Sequence, residues 1–324
     1  MRRCYLSIFC LLVLATVVLL MYLAYSSEVK TQGPSRKAPK SPGPAESKMC
    51  QGCSERIINK LMKLYSQTWQ KQEGNFNMFR SQLKSKCDGI SKAIITQANT
   101  PLGSKVIYDG EKRKPLQVTS KLLSTFVKDG PFRNQTLETC AVVGNGGILS
   151  NSSCGNEINS AQFVIRFDGL MEQRRPFAES LDSYGDSLLL LPAFSYGHNT
   201  AVSLRALYTL RDFGGLARPV FLNPEYLRSL ARFWRTRGLR AMRLSTGLIV
   251  ASLALELCTN VHLYGFWPFP VHPHSRRPLT NHYYDDRQSK KKVHDMPDEF
   301  GHLMHLHNHG VVRLHLGKCE PTAQ

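Results

Sequence analysis

The sequence predicts an α/β fold: a mostly parallel sheet flanked by helices and preceded by a membrane-spanning segment. Three observations predict it. Short strands that are apolar on both faces alternate with helical stretches, the texture of a parallel sheet covered on two sides. Hydrophobic residues make up 42% and charged residues 20% of the 324 residues, which suits a buried core and excludes a mainly disordered chain. Neither a glycine period nor an internal repeat is present, which excludes collagen-like and solenoid architectures.

At the start of the chain, Arg2 and Arg3 precede an uncharged apolar run from Tyr5 to Tyr25. At about 1.5 Å per residue the run reaches roughly 30 Å, the thickness of a hydrocarbon core. It is longer than the apolar part of a secretory signal, and Tyr22-Leu23-Ala24-Tyr25 is a poor cleavage site. The expectation is an uncleaved signal anchor over 5–25, with residues 1–4 in the cytosol. Residues 26–53, rich in Ser, Pro, Gly, Lys and Gln, read as a solvated stem, and 54–324 as the lumenal domain. The glycosylation sequons at Asn134 and Asn151 agree with that side of the membrane.

From Ser54 to Ala98 the pattern is helical, with Ile57, Ile58, Leu61 and Leu64 on one face, until Asn99-Thr100-Pro101-Leu102-Gly103 breaks it. Buried strands are predicted at Cys140–Val143, Ser187–Pro192, Pro219–Leu222, Val261–Tyr264 and Val311–Leu316. Helices are predicted at Ala201–Asp212, Glu225–Arg237 and Leu248–Leu257. A last helix is opened by Pro297, with Asp298 and Glu299 at its positive end, and closed by Gly310.

The formal charge of +18, from 42 Lys+Arg against 24 Asp+Glu, asks for an acidic partner. Basic residues are dispersed, the one tight run being Lys290-Lys291-Lys292, and no zinc-finger or RNA-binding signature accompanies them. Nucleic acid is therefore not expected; a sugar acid, another small anion or a membrane surface is. Dispersed charge also favours the handling of one or a few anionic units over a polymer track. Of nine cysteines, seven lie beyond the anchor: Cys50, Cys53, Cys87, Cys140, Cys154, Cys258 and Cys319. The last four are far apart, which fits long-range disulfides better than a metal knuckle. Seven is odd, so one thiol is free or joins two copies of the chain as a homodimer. Cys50-x-x-Cys53 abuts the stem with no strand before it and reads as structural.

Five constellations have chemical potential. Gly144-Asn145-Gly146-Gly147 at a strand end lets backbone approach a nucleotide, or is simply a tight turn. Ser245-Thr246-Gly247 before an apolar helix is an anion site or an ordinary N-cap. Asp285-Asp286 would suit a divalent metal or a solvated turn. His294, in the loop before a helix, suits proton removal from a hydroxyl near neutral pH. His302, His305 and His309 share a helix face, but the Glu that a zinc protease needs between them is missing.

These segments together resemble the animal sialyltransferases, glycosyltransferase family 29. Cys140-Ala-Val-Val-Gly-Asn-Gly-Gly-Ile-Leu, Cys154-Gly and Phe163-Val-Ile-Arg166 resemble the family's long motif. Leu244-Ser-Thr-Gly with Cys258 and Val261-His-Leu-Tyr-Gly-Phe-Trp-Pro-Phe269 resembles the short motif. His282-Tyr-Tyr-Asp285 resembles the third motif, and His294-x-Met-Pro-x-Glu299 the very short one. The wording is that of the alpha-2,8 branch, and Ser183-Tyr-Gly-Asp-Ser and Phe233-Trp-Arg-Thr-Arg-Gly look nearest its sixth subtype. The resemblance implies a Rossmann-like variant of the GT-A fold in a single-pass type II Golgi membrane enzyme. That enzyme would transfer sialic acid from CMP-sialic acid to a sialylated glycan by an inverting single displacement. It implies His294 as general base and His282 on the donor phosphate. Asn145, Ser245, Thr246 and Gly247 would hold CMP, and Trp267 would line the donor pocket. It also implies disulfides Cys140–Cys258 and Cys154–Cys319, and no metal or other cofactor.

One stretch departs from the pattern. After Arg166 the family continues with Cys-Asn and Leu-Pro-Pro, then a strand leading to Asn-Pro-Ser. Here Phe167-Asp168-Gly169-Leu170 follows and resembles the region beyond that strand. This reads as loss of a block of donor-site sequence, as in an exon-skipped product, and of a second CMP-binding Asn that Asp168 does not replace. The competing expectation is a catalytically silent Golgi protein that binds glycans or pairs with an active relative.

Overall fold

The computed structural model describes residues 51–65, 68–133, 137–155, 163–165, 174–286 and 294–319. The anchor expected at 5–25, nearly all of the stem, the sequon at Asn134, the junction at 166–173 and Lys290–Lys292 lie outside the described residues. Among the described residues no helix is long and apolar enough to cross a membrane. The chain divides into two units, Met1–Gln51 and Gly52–Gln324, and the fold belongs to the second.

Helix α1 (Gln51–Tyr65), α2 (Glu73–Lys86) and the single turn α3 (Gly89–Lys92) lead into a small antiparallel pair, β1 (Lys105–Val106) and β2 (Leu116–Gln117). The turn α4 (Ser120–Leu123) precedes β3 (Leu137–Val143) and β4 (Phe163–Ile165). Then come α5 (Arg174–Asp182), β5 (Leu188–Leu191), α6 (Gly197–Phe213), β6 (Arg218–Phe221) and α7 (Pro224–Thr236). The chain continues through α8 (Thr246–Leu257), β7 (Cys258–Tyr264), α9 (Met296–Asn308) and β8 (Arg313–His315). The helical region expected over 54–98 is thus three helices. Asp88, in the left-handed conformation at φ 52°, stops α2 from running into α3.

Every named strand expected from the sequence forms, and all pairs apart from β1–β2 are parallel. They do not make one sheet. The order β4-β3-β7-β8 builds a four-stranded sheet, and β5-β6 stand as a separate pair. Two apolar cores explain the split. One joins residues of β3, β7 and β8 to α2, α7, α8 and α9, with Val220 of β6 at its edge. The other gathers β5, β6 and α6 around Phe126, Phe194 and Phe221, whose rings meet edge to face at 5.6–6.1 Å.

The centre of the first core is α8. Its residues Leu248 to Leu257 are all buried, as expected for a helix apolar on every side. Its polar side chains find partners for most of their atoms, Glu256 Oε1 excepted. Ser252 Oγ donates to Leu248 O at 2.7 Å and accepts the Trp234 indole N–H at 3.0 Å. Glu256 Oε2 accepts Gly89 N at 2.8 Å. Burial pushes the Glu256 carboxyl up to about 7, against the pull of the Gly89 bond.

Both implied disulfides are present, Cys140–Cys258 across β3 and β7 and Cys154–Cys319. Cys87 is a free thiol, 2% exposed, with its pKa pushed up to about 12 chiefly by burial. It faces the core, so it is not the thiol to join two copies of the chain. The side chains of Cys50 and Cys53 lie outside the described residues.

Glu256 gives a pH test. Its folded pKa lies above the 4.5 of an ordinary Glu, so its contribution to stability is complete at low pH and fades as pH rises towards 7. Gln keeps the acceptor for Gly89 N without titrating. The stability of Glu256→Gln relative to the native chain should therefore grow by up to about 3 kcal/mol between pH 4.5 and 8 in denaturant titrations. A constant difference across that range contradicts the assignment.

Candidate active site

Three backbone segments touch at the end of β3 and β7: the 144–147 turn, Gly265 with the residues after it, and the 280–286 loop. Gly144 N donates to Tyr264 O at 2.7 Å and Gly146 N to Gly265 O at 3.0 Å. A Cβ on Gly146 would lie 2.5 Å from Gly265 O, and one on Gly147 only 2.2 Å from Thr280 O. Side chains here would force the backbones apart, which is why the turn is glycine-rich. Tyr283 N donates to Asn145 O at 3.0 Å, and Gly146 bridges His282. Asn145 and His282, predicted from separate motifs, therefore sit on adjoining backbone.

His282 is oriented by its own loop. Its Nδ1 pairs with Asp285 Oδ1 at 2.7 Å, its Nε2 faces Asn281 Nδ2 at 3.2 Å, and its ring stacks on Tyr284 at 5.2 Å. Asp286 Oδ1 accepts Asn281 N at 2.9 Å. The two adjacent aspartates are thus spent on shaping this loop.

The second predicted turn opens α8. Ser245 is its N-cap, with Oγ accepting Leu248 N at 3.1 Å, so the capping reading holds. The helix still presents its positive end there, beside Thr246 and Gly247. A Cβ on Gly247 would come 2.8 Å from the Phe266 ring, and one on Gly144 would come 3.4 Å from the same ring. The two glycine turns therefore flank a single phenyl ring.

The start of α9 is bound to the loop before α8 at three points. Glu299 Oε1 accepts Ser245 N at 2.8 Å, Asp298 Oδ2 accepts Arg240 N at 3.3 Å, and His294 Nδ1 donates to Arg243 O at 2.9 Å. Glu299 is 3% exposed, and burial raises its carboxyl to about 7 although the Ser245 bonds oppose the shift. Because a carbonyl only accepts, the Arg243 bond places the His294 proton on Nδ1 and leaves Nε2 with its lone pair. His294 is exposed.

Trp267 is 4% exposed. Its indole N–H donates to Val271 O at 2.8 Å and its ring packs edge-on against Phe269 and Phe300. It braces the chain after β7 against α9, while Phe266 is the ring that meets both glycine turns. Of the histidines on α9, His302 meets Trp234 edge to face, His307 is buried against Tyr65, and His309 bonds His305 O. Asn151 is exposed, just after the 3-10 turn Gly147–Leu149.

A cavity of about 400 Å³ adjoins this region. Arg228, Arg232 and Arg235 of α7 line it with Arg243 and Asp109, over an apolar floor that includes Leu227 and Ile249. The first three arginines recur at helical spacing on one face. Arg228 donates to Ile107 O, Arg232 to Ser229 Oγ and Arg235 to Met242 O. The charge expected to be dispersed is here concentrated by folding. Sequence reading placed Glu299 at a helix start and in the very short motif but missed its bond to Ser245. The available signal was a carboxylate on a helix start followed directly by the core residues Phe300, Leu303 and Met304.

The profile of Glycosyltransferase family 29 (sialyltransferase) matches residues 94–171 and 167–311. The chain belongs to this family. The two matched segments meet where the long motif departs from the family pattern. Among relatives, Alpha-2,8-sialyltransferase 8F of Mus musculus is 39% identical over 78% of this chain and 71% of its own length. The Homo sapiens protein of the same name is 36% identical over 85% and 77%. Alpha-2,8-sialyltransferase 8E of Homo sapiens is 39% identical over 81% and 78%. A crystal structure of a mammalian sialyltransferase in complex with Gal-beta-1-3GalNAc-ortho-nitrophenol aligns at TM-score 0.41 and 18% identity, covering 83% of this chain and 87% of that one.

Gly147→Ala should lower stability by about 2–4 kcal/mol, because its Cβ would meet a carbonyl rather than a movable side chain. Thermal melting measures this.

Proposed function

We propose that this chain is an alpha-2,8-sialyltransferase that moves sialic acid from CMP-sialic acid onto the terminal sialic acid of a glycan. The observation that carries the reading is the attachment of His294 to the loop that caps α8. One hydrogen bond fixes its tautomer, and two more hold the same loop to α9.

CMP lies between the two glycine turns. Asn145 offers its amide, Ser245, Thr246 and Gly247 present the positive end of α8, and His282 meets the phosphate. Trp267 supports this pocket from behind through its packing on Phe300. His294 Nε2 takes the proton of the acceptor hydroxyl as that oxygen attacks the anomeric carbon. The bond from that carbon to the phosphate oxygen breaks, and CMP departs with the electron pair. One displacement inverts the anomeric centre. A phosphate is a stable leaving group, and helix dipole and imidazole together suffice to receive its charge, so the reading includes no metal or cofactor.

An acceptor that already ends in sialic acid brings a carboxylate. The cavity with Arg228, Arg232 and Arg235 suits it, while its apolar floor suits the sugar ring. The remaining parts of the proposal are a single-pass type II Golgi membrane protein, anchored by 5–25 and glycosylated at Asn134 and Asn151. An intermolecular disulfide, if formed, falls to Cys50 or Cys53.

The test is transfer by the full-length chain from CMP-sialic acid to a sialylated glycoprotein. His294→Ala should lower kcat by about 100-fold or more, whereas Arg232→Ala should raise the KM for the acceptor and leave that for CMP-sialic acid unchanged. Absence of turnover by the native chain supports the catalytically silent alternative instead.

A further inference from the structure

The carbonyl that fixes His294 belongs to a residue whose side chain reaches the 109–110 segment and Tyr196. Arg243 Nη2 lies 3.7 Å from Asp109 Oδ2, and its guanidinium sits 4.6 Å over the ring of Tyr196. Both partners are held in turn. Asp109 N donates to Phe194 O at 3.3 Å and Gly110 N to Ser195 O at 2.9 Å, which ties the 109–110 segment to the residues that lead into α6. Room for the guanidinium exists because residue 110 has no side chain. A Cβ there would lie 2.4 Å from Arg243 Nη1, 2.7 Å from Ser195 O and 2.7 Å from Tyr196 Cζ. Arg243 is 20% and Asp109 10% exposed, so charge attraction and the cation–π contact act with little screening by water.

The peptide that carries this carbonyl is flanked by Leu244, buried in the first core. Arg240 N and Ser245 N are bonded to α9, but the Arg243 carbonyl points to His294 and gains its orientation from what holds residue 243. The Arg243 side chain supplies a hold on the side opposite Leu244. We infer that Arg243 is a positioning residue: clamped by Asp109, Gly110 and Tyr196, it aims its carbonyl at His294 Nδ1 and so keeps Nε2 as the basic nitrogen. The inference rests on the proposal that His294 is the general base. It assigns Arg243 a role separate from Arg228, Arg232 and Arg235, although all four line one cavity. It also makes the 109–110 segment and Tyr196, ahead of α6, a support of the base.

Two readouts test it on the full-length chain. Histidine labelled with ¹⁵N reports which ring nitrogen bears the proton. The native His294 should show a protonated Nδ1 and a bare Nε2, and Arg243→Met should give a mixture of tautomers. In steady-state kinetics the same variant should lose roughly 10- to 100-fold in kcat, with the KM of donor and acceptor each within about twofold of native. Arg243→Lys, which restores the cation, should recover part of the loss. Gly110→Ala and Tyr196→Leu disturb the clamp without touching residue 243 or 294 and should produce the same tautomer mixture, so the inference stays testable if Arg243→Met does not fold. An unchanged His294 spectrum in the folded variants overturns it. So does a rise in acceptor KM with kcat preserved, which would make Arg243 an acceptor ligand. If the native chain does not turn over CMP-sialic acid, the proposed function fails, while the ¹⁵N spectra still decide whether the clamp sets the tautomer.

Discussion

The buried hydrogen bond from Ser245 N to Glu299 is the contact on which the rest of the site depends. It joins the first residues of α9 to the cap of α8, and each helix contributes a different chemical function: a histidine ahead of one, a positive end on the other. A buried carboxyl is costly to hold in the charged form, and the raised pKa of Glu299 records that cost. The chain retains it because a backbone N–H at a helix start needs an acceptor that α8 itself cannot supply.

Around this contact the fold brings ligating backbone together by removing side chains. Gly144, Gly146 and Gly147 allow three loops to lie within carbonyl contact, and Gly265, at φ 76°, allows β7 to turn sharply beneath them. Phe266 then fills the space between the 144–147 turn and the start of α8. Rigid backbone, rather than long flexible side chains, thus sets the spacing of Asn145, His282 and the cap of α8.

Much of this was legible in the sequence because it is local. The strands announce themselves as apolar runs between glycines, α8 as a run of aliphatic residues behind Ser-Thr-Gly, and α9 by its proline and acidic first turn. The disulfides followed from a family resemblance. What escaped was non-local. The split into two sheets depends on which apolar faces find each other in space, and Leu188–Leu191 reads the same in either sheet. Arg228, Arg232 and Arg235 could be counted, but their common cavity requires Asp109 and Ile249 from distant segments. The bond from the Trp267 indole N–H to the carbonyl of Val271 has no sequence signature either. The tie between His294 and Arg243 spans 51 positions and has no sequence signature.

The covalent links carry a consequence for how the molecule is made. Cys140 waits for a partner 118 positions later, and Cys154 for one 165 positions later, close to the last described residue. A ribosome delivers these halves many seconds apart. The early strand β3 must spend that interval with its neighbours β7 and β8 still unmade and two thiols unpaired. Quality control by oxidising chaperones has its natural point of action in that gap.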